Sequence, residues 1–261
     1  MRAKFAVGIE YSGTAYSGWQ RQKHCVSIQQ LTEDALGFVA NHPIKLVCAG
    51  RTDAGVHAVE QVAHFETDAH RELRSWLLGT NCRLPKDIRL KWVVSIDQEF
   101  HARFSATARQ YRYIILNSAV PDALFHDKVG WEFRPLDHEK MQKAAKVLLG
   151  EHDFSAFRAV GCQAKSSSRC IDEISLTRHH DLIFLDIRAN AFLYHMVRNI
   201  AGSLMAVGKG EQSCAWFSEV FAGRDRDQAA ATAPASGLYF LRAYYPDQFK
   251  LPIEGKKPVL F

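Results

Sequence analysis

The sequence predicts an α+β protein made of two β-α-β-β-α-β halves, and three observations predict it. Alternating apolar segments and helical stripes follow one another in that order between residues 4 and 95. The same order of elements returns between residues 109 and 245, with no residue-level repeat behind it. A composition of 47% hydrophobic and 23% charged over 261 residues gives enough apolar material for two fused domains. Halves joined near residues 100–107 would leave a cleft between two sheets, a favoured place for a ligand.

In the first half, Lys4–Tyr11 alternates, with Phe5, Val7 and Ile9 on one face, and reads as a strand. "YSGTAYSGWQRQKHCV" follows, too long for a plain connection and therefore functional or mobile. Ser27 opens a helix, Gln30 completes its capping box, and Ile28, Leu31, Ala35 and Phe38 form its buried stripe. Ile44–Ala49 reads as a buried strand, with "VEQVAHFET" as its antiparallel partner. Thr67 is expected to cap a short helix with Leu73, Trp76 and Leu77 inward and Gly79 at its end. Ile88–Ser95 closes the half as a strand.

The second half begins with a strand over Arg109–Leu116 and a helix over Asp137–Leu149 that stops at Gly150. Strands over Arg169–His179 and Leu182–Asn190 precede a helix over Ala191–Val207, which presents Phe192, Met196, Ile200 and Leu204. A last strand runs Gly237–Tyr245. Two insertions interrupt this half: a basic stretch at 154–171, and residues 210–236 with a short helix at Cys214–Phe221. The expected domains are 1–105, 106–249 and an irregular tail, 250–261.

Chemistry concentrates at Ala49–Ala58, "AGRTDAGVHA". Asp53 lies between Gly50 and Gly55, with Arg51 two residues before it and His57 four after. A carboxylate beside a guanidinium stays ionised and oriented, which suits a nucleophile or base. The same pattern also suits a turn former, because Asp bonds nearby backbone N–H groups. In the second half, Tyr111 and Tyr113 alternate on a strand flanked by Arg109 and Arg112, as core residues or as a stacking platform. The helix leaves His195, Arg198 and Asn199 beside its apolar stripe, with Asn199 read as exposed. Arg198 there either takes a partner or snorkels to water.

Net charge is +5, and its distribution says more than the total. Arg158, Lys165 and Arg169 share an acid-free stretch, as do Arg103, Arg109 and Arg112, the latter interleaved with Phe104 and the two tyrosines. Basic residues between aromatics suit nucleic acid, with Arg21 of the aromatic loop as a further candidate contact. Six cysteines form no Cys-x-x-Cys pair, so neither a disulfide framework nor a zinc module is expected. No apolar run approaches the ~20 residues of a membrane span, and "MRAKFAVGIEYSG" has no signal-peptide core, which makes a cytoplasmic protein the expectation.

"CAGRTDAGVHA" resembles the catalytic motif of the TruA family of tRNA pseudouridine synthases. "YSGWQRQ", "FHARFSATARQYRYIILN", "EHDFSAFRA" and "NAFLYHMVRNIAGSLM" resemble further blocks of that family in the same order, so the likeness runs from Phe5 to about Phe249. Gln110 stands where a second arginine is common, and "KSSSRC" is polar where an aromatic is often seen. The resemblance implies isomerisation of uridine to pseudouridine at nucleotides conventionally numbered 38, 39 and 40 of the tRNA anticodon stem-loop. It implies two ferredoxin-like halves sharing an extended antiparallel sheet with a central cleft. It also implies a homodimer with no metal or organic cofactor. Asp53 matches the catalytic aspartate, Arg51 falls within the motif, Tyr111 matches the tyrosine that stacks on the target base, and Arg198 matches the arginine paired with the aspartate. His57 is then assigned a structural role beside the loop.

The carboxylate could attack C1′ or C6 of the base, or act as base at C2′, and the residues do not choose among these routes. Two other classes fit the sequence less well. A non-catalytic RNA-binding or RNA-folding protein would keep the basic cleft but has no need of an aspartate beside RNA phosphates. An aspartate-nucleophile hydrolase would need a phosphate-cradling loop or a metal-carboxylate cluster, and the sequence has neither.

Overall fold

The computed structural model of the chain describes residues 2–255. In chain order the elements are β1 (Ala3–Tyr11), α1 (Ile28–Ala40), β2 (Val47–Cys48), β3 (His57–Thr67), α2 (Leu73–Arg83) and β4 (Ile88–Ser95). There follow β5 (Ala108–Asn117), β6 (Gly130–Glu132), α3 (His138–Ala145), β7 (Gly150–Asp153), β8 (Ser168–His179) and β9 (Leu182–Ala189). The last elements are α4 (Met196–Gly208), α5 (Cys214–Gly223) and β10 (Leu238–Tyr244). The chain divides into two compact units: one runs to Arg109 and resumes at Tyr239, and the other is Gln110–Leu238.

In the first unit β1 lies between β4 and β3 and is antiparallel to both. The other edge of β3 takes β2 at His64 and Ala63, and β10 at His57 and Ala58. Assigned from the sequence to the second half, β10 therefore lies from Tyr239 onward in the first unit. It runs parallel to β3, so the pairing is mixed rather than wholly antiparallel. The strand expected over Ile44–Ala49 keeps only Val47 and Cys48 in the ladder. The Leu46 N–H and C=O bond the Glu33 carboxylate and the Gln29 amide of α1 instead, at 2.9 and 3.1 Å.

Ser27 caps α1 as expected, and the helix ends on Asn41 in the left-handed region at φ 61°. Phe38, placed in the buried stripe, is 63% exposed and lies under the Arg83 guanidinium at 4.4 Å. Thr67 does not cap α2: its hydroxyl accepts from the Ala69 N–H, and the helix starts six residues after it, at Leu73. Nor does Gly79 end it. The helix runs to Arg83, and a Cβ at Gly79 would meet Val39 of α1 at 2.9 Å. Leu73 is exposed, while Trp76 is fully buried against Phe5 and Phe65.

In the second unit the strand order is β5-β9-β8-β7, with β6 added to β5 in parallel. Asp137 caps α3, which is shorter than expected and passes through a single 3-10 turn into β7. The helix expected from Ala191 starts at Met196, after His195 in the left-handed region at φ 60°. Phe154, Phe157, Phe217 and Phe221 close the core beneath the basic insertion. Of the expected tail, residues 251–255 carry no helix or strand, and 256–261 lie outside the described residues.

Candidate active site

The segment carrying Asp53 is a loop between β2 and β3, closed by a turn in which the Val56 N–H donates to the Asp53 carbonyl at 3.1 Å. Gly55, third residue of that turn, has φ 79°, a conformation a glycine takes without strain. Asp53 is half-buried and Arg51 exposed. Thr52 between them is buried, its hydroxyl hydrogen-bonded to the Tyr11 hydroxyl at 2.7 Å. Burial pushes the Tyr11 phenol well above its ordinary range, so this pair is a neutral anchor at the end of β1.

The long loop after β1 turns out to be the wall on which the Asp53 loop rests. The Trp19 N–H donates to the Thr52 carbonyl at 3.0 Å, and the Trp19 ring is 1% exposed. A Cβ on Gly18 would lie 2.7 Å from the Thr52 oxygen and 3.0 Å from the Asp53 carbonyl carbon. One on Gly13 would lie 2.0 Å from the Val56 oxygen. These two glycines were visible in "YSGTAYSGW", but nothing in the spacing said which backbone they would admit.

His57 is 2% exposed and stacks on Tyr239 at 4.7 Å. Its Nδ1 accepts the Gly13 N–H at 3.1 Å, which gives it the structural place expected of it. Arg109 directs its guanidinium to the carbonyls of Ala49, Ala106 and Arg103.

In the second unit Tyr111 is 8% exposed on β5, with Phe192 meeting its ring edge-on at 4.9 Å. Tyr113 is fully buried, and its hydroxyl donates to the Pro234 carbonyl at 2.9 Å. Arg198, half-buried in the first turn of α4, donates through Nε to the Ala233 carbonyl at 2.8 Å, while the Ala233 N–H returns a bond to the Arg198 carbonyl.

Asn199, read as exposed, is fully buried. Its amide donates to the Phe157 carbonyl at 2.8 Å, and its oxygen accepts from Arg226 at 3.2 Å and Thr232 at 2.6 Å. Residues 229–233, expected only as part of the 210–236 insertion, thus form a strap held to α4 by Asn199, Arg226 and Arg198. The partners of Asn199 are a carbonyl, a guanidinium and a hydroxyl, all far along the chain, which no local spacing reveals.

The basic candidates differ in what they hold. Arg21 pairs with Glu33 at 3.0 Å and Asp34 at 3.4 Å, and these partners raise its pKa further. Arg158 donates to the carbonyls of Cys162 and Ala164, and Arg169 to those of Ser166 and Ser168. Burial lowers Arg169 from its ordinary range, with Arg158 nearby acting in the same direction. Arg103 and Lys165 are exposed. Among the described residues no group of three His, Cys, Asp or Glu could hold a metal ion, and no helix is long and apolar enough to cross a membrane.

A family model described as tRNA pseudouridine synthase matches residues 8–105 and 144–246. A protein of Hydrogenovibrio crunogenus named tRNA pseudouridine synthase A is 56% identical over 247 residues, covering 95% of this chain and 94% of its own. Proteins of the same name from Vibrio cholerae and Escherichia fergusonii are 51% and 53% identical, each over 95% of this chain and over 94% and 92% of their own. Identity at that level over both units, together with an aspartate loop set in the matched segment, fixes the assignment: the chain belongs to the bacterial TruA family of tRNA pseudouridine synthases.

Proposed function

We propose that the chain isomerises uridine to pseudouridine at nucleotides 38, 39 and 40 of the tRNA anticodon stem-loop, with Asp53 as the catalytic carboxylate. Arg198 pairs with that carboxylate and Tyr111 stacks on the target base. The observation that carries the reading is the Asp53 loop, whose backbone is held by Trp19 and fitted against Gly13 and Gly18. A side chain on a loop fixed through its main chain keeps its aim as the reaction proceeds.

Isomerisation breaks the N1–C1′ bond and joins C5 to C1′. A proton leaves C5, one is taken up at N1, and no water enters the balance. The uridine must first leave its stack, at a cost of a few kcal/mol. Stacking on Tyr111 returns about 1–3 kcal/mol of this, and contacts from basic residues to phosphates supply the rest. Exposed Arg103 and Lys165 suit that task directly. Arg21, Arg158 and Arg169 join them from positions already bonded to their own loops. Arg198 sits in the first turn of α4, where a cation opposes the helix dipole, so an anionic partner relieves it. Asp53 is that anion, and the pairing keeps the carboxylate ionised. The chain acts as a cytoplasmic homodimer without a metal or organic cofactor, as its family resemblance implies.

The test is incubation with unmodified tRNA followed by mapping of pseudouridine. Wild-type protein modifies positions 38–40. Asp53→Asn leaves the loop's backbone contacts in place, so tRNA affinity holds while turnover falls at least about a thousandfold, roughly 4 kcal/mol of barrier. Normal turnover by the variant would remove Asp53 from the chemistry, and modification elsewhere would overturn the substrate positions.

A further inference from the structure

Arg109 belongs to the basic, aromatic stretch that reads as an RNA contact, yet its guanidinium faces inward. Nε and Nη2 donate to the Ala49 carbonyl at 3.3 and 3.1 Å, Nη1 to the Ala106 carbonyl at 3.1 Å, and Nη2 also to the Arg103 carbonyl at 2.5 Å. Four of these directed bonds on three carbonyls use most of what a guanidinium can offer.

The two ends it joins differ in what else holds them. Ala49 is the residue at which the chain leaves β2 for the Asp53 loop. Its N–H donates to the Val62 carbonyl of β3 at 2.8 Å, and the next carbonyl, Gly50, accepts from the Gln61 amide at 2.6 Å. The segment 102–107 is fixed separately. The Ala102 N–H donates to His64, the Ala102 carbonyl accepts from the Tyr245 hydroxyl at 2.6 Å, and the Thr107 N–H donates to the Tyr244 carbonyl at 2.9 Å.

We propose that Arg109 is a positioning residue, not a phosphate contact: it ties the Ala49 carbonyl to the fixed segment 103–106 and so sets where the Asp53 loop begins. The proposal rests on the reading of Asp53 as the catalytic carboxylate. Geometry explains why the residue is arginine. A planar fork reaches three carbonyls at once, whereas a lysine ammonium on the same stem is a single point that cannot span them.

That difference supplies the experiment, because Arg109→Lys keeps the charge and loses the brace. Single-turnover rate, tRNA affinity and the salt dependence of affinity are measured for wild type, R109K and R109Q, with R103Q as the comparison at an exposed arginine. Amide exchange of residues 49–54 is followed in the same proteins without RNA. R109K is expected to lose at least about tenfold in rate at saturating enzyme, with Kd within about twofold of wild type and faster exchange confined to that loop. R109Q is expected to keep the wild-type salt slope, while R103Q lowers it by about one charge.

Wild-type rate and exchange in R109K would overturn the proposal. So would a salt slope lowered by about one charge in R109Q with its rate intact, the behaviour of a phosphate contact. Loss of cooperative melting in both Arg109 variants would also overturn it, since a local brace leaves the rest of the unit folded. Amide exchange does not depend on what Asp53 does, so an active Asp53→Asn enzyme would sink that reading and still leave the brace tested.

Discussion

The Asp53 loop and the first turn of α4 place the two charged residues on which the proposed chemistry depends, and they do so by different means. Around Asp53 the supports are main-chain groups and ring nitrogens: the Trp19 N–H on Thr52, Gly13 and Gly18 against the loop backbone, and the His57 imidazole on the Gly13 N–H. Around Arg198 they are side chains: the Asn199 amide, the Thr232 hydroxyl and the Arg226 guanidinium, which hold the strap that in turn bonds Arg198. The first frame tolerates no added atom. The second can lose a bond and remain, weakened.

Breaking the first frame gives the largest effect. Gly13→Ala would put a Cβ 2.0 Å from a main-chain oxygen that belongs to the turn closing the Asp53 loop. Backbone cannot step aside as a side-chain tip can, so we expect a loss of roughly 2–3 kcal/mol in stability. Turnover should fall further than stability alone explains. Chemical denaturation with single-turnover kinetics on the folded fraction separates the two, and an unchanged rate per folded molecule would show that the loop does not aim Asp53.

Asn199→Ala tests the second frame and should cost less. It leaves the Phe157 carbonyl, the Thr232 hydroxyl and one Arg226 donor short of a partner, at about 2 kcal/mol, because the strap can shift and admit water. Thr232→Val removes both hydroxyl bonds, the one donated to Asn199 and the one accepted from Arg226, and should cost about 1.5 kcal/mol. Melting temperatures order the series, and a Thr232→Val loss equal to that of Asn199→Ala would mean that the amide adds nothing beyond the hydroxyl bond.

The difference between the frames also explains what could be read in the sequence. Elements defined by local periodicity or caps were legible: β1 from Phe5, Val7 and Ile9, α1 from Ser27, α3 from Asp137. The loop with Asp53 stood out because its glycines and charges are adjacent. Phe38, at helical spacing from Ala35, lies on the exposed side of α1, where the Arg83 guanidinium covers one face of its ring. Gly79 was misread as a stop because glycine also serves where two helices approach. Arg109 carries its role through carbonyls, which every residue has, so the identity of its partners leaves no mark in the sequence. Asn199 carries its role through one carbonyl and through the side chains of Arg226 and Thr232, which lie far along the chain, beyond the reach of a spacing rule.

Acid distinguishes the two frames by the smallest of these effects. His64 of β3, 6% exposed, accepts the Ala102 N–H at Nδ1, 3.1 Å away, with His101 at 4.8 Å and the Lys4–Glu66 pair close by. Burial first, then the positive neighbours His101 and Lys4, lower its pKa to about 4, against the weaker opposing pull of Glu66. The folded value lies below that of the unfolded chain, so between about pH 6.5 and about pH 4 the unfolded chain takes up the proton and the folded chain does not. The stabilisation is therefore complete above the unfolded value and fades as pH falls toward the folded one, by about 1 kcal/mol at about pH 5.5. An imidazole nitrogen that accepts an N–H cannot also hold a proton, so the Ala102 amide should lose its protection as pH falls through about 4. The strap on α4 is held by an amide, a hydroxyl and a guanidinium, none of which titrates there, so its amides should keep their protection. His64→Asn supplies an acceptor near the Nδ1 position without the titration, and its melting temperature should fall less than that of wild type between about pH 7.5 and about pH 5.5. Equal falls in the two proteins would place the acid sensitivity elsewhere than His64, and loss of protection in the strap alongside Ala102 would mean that the two frames open together.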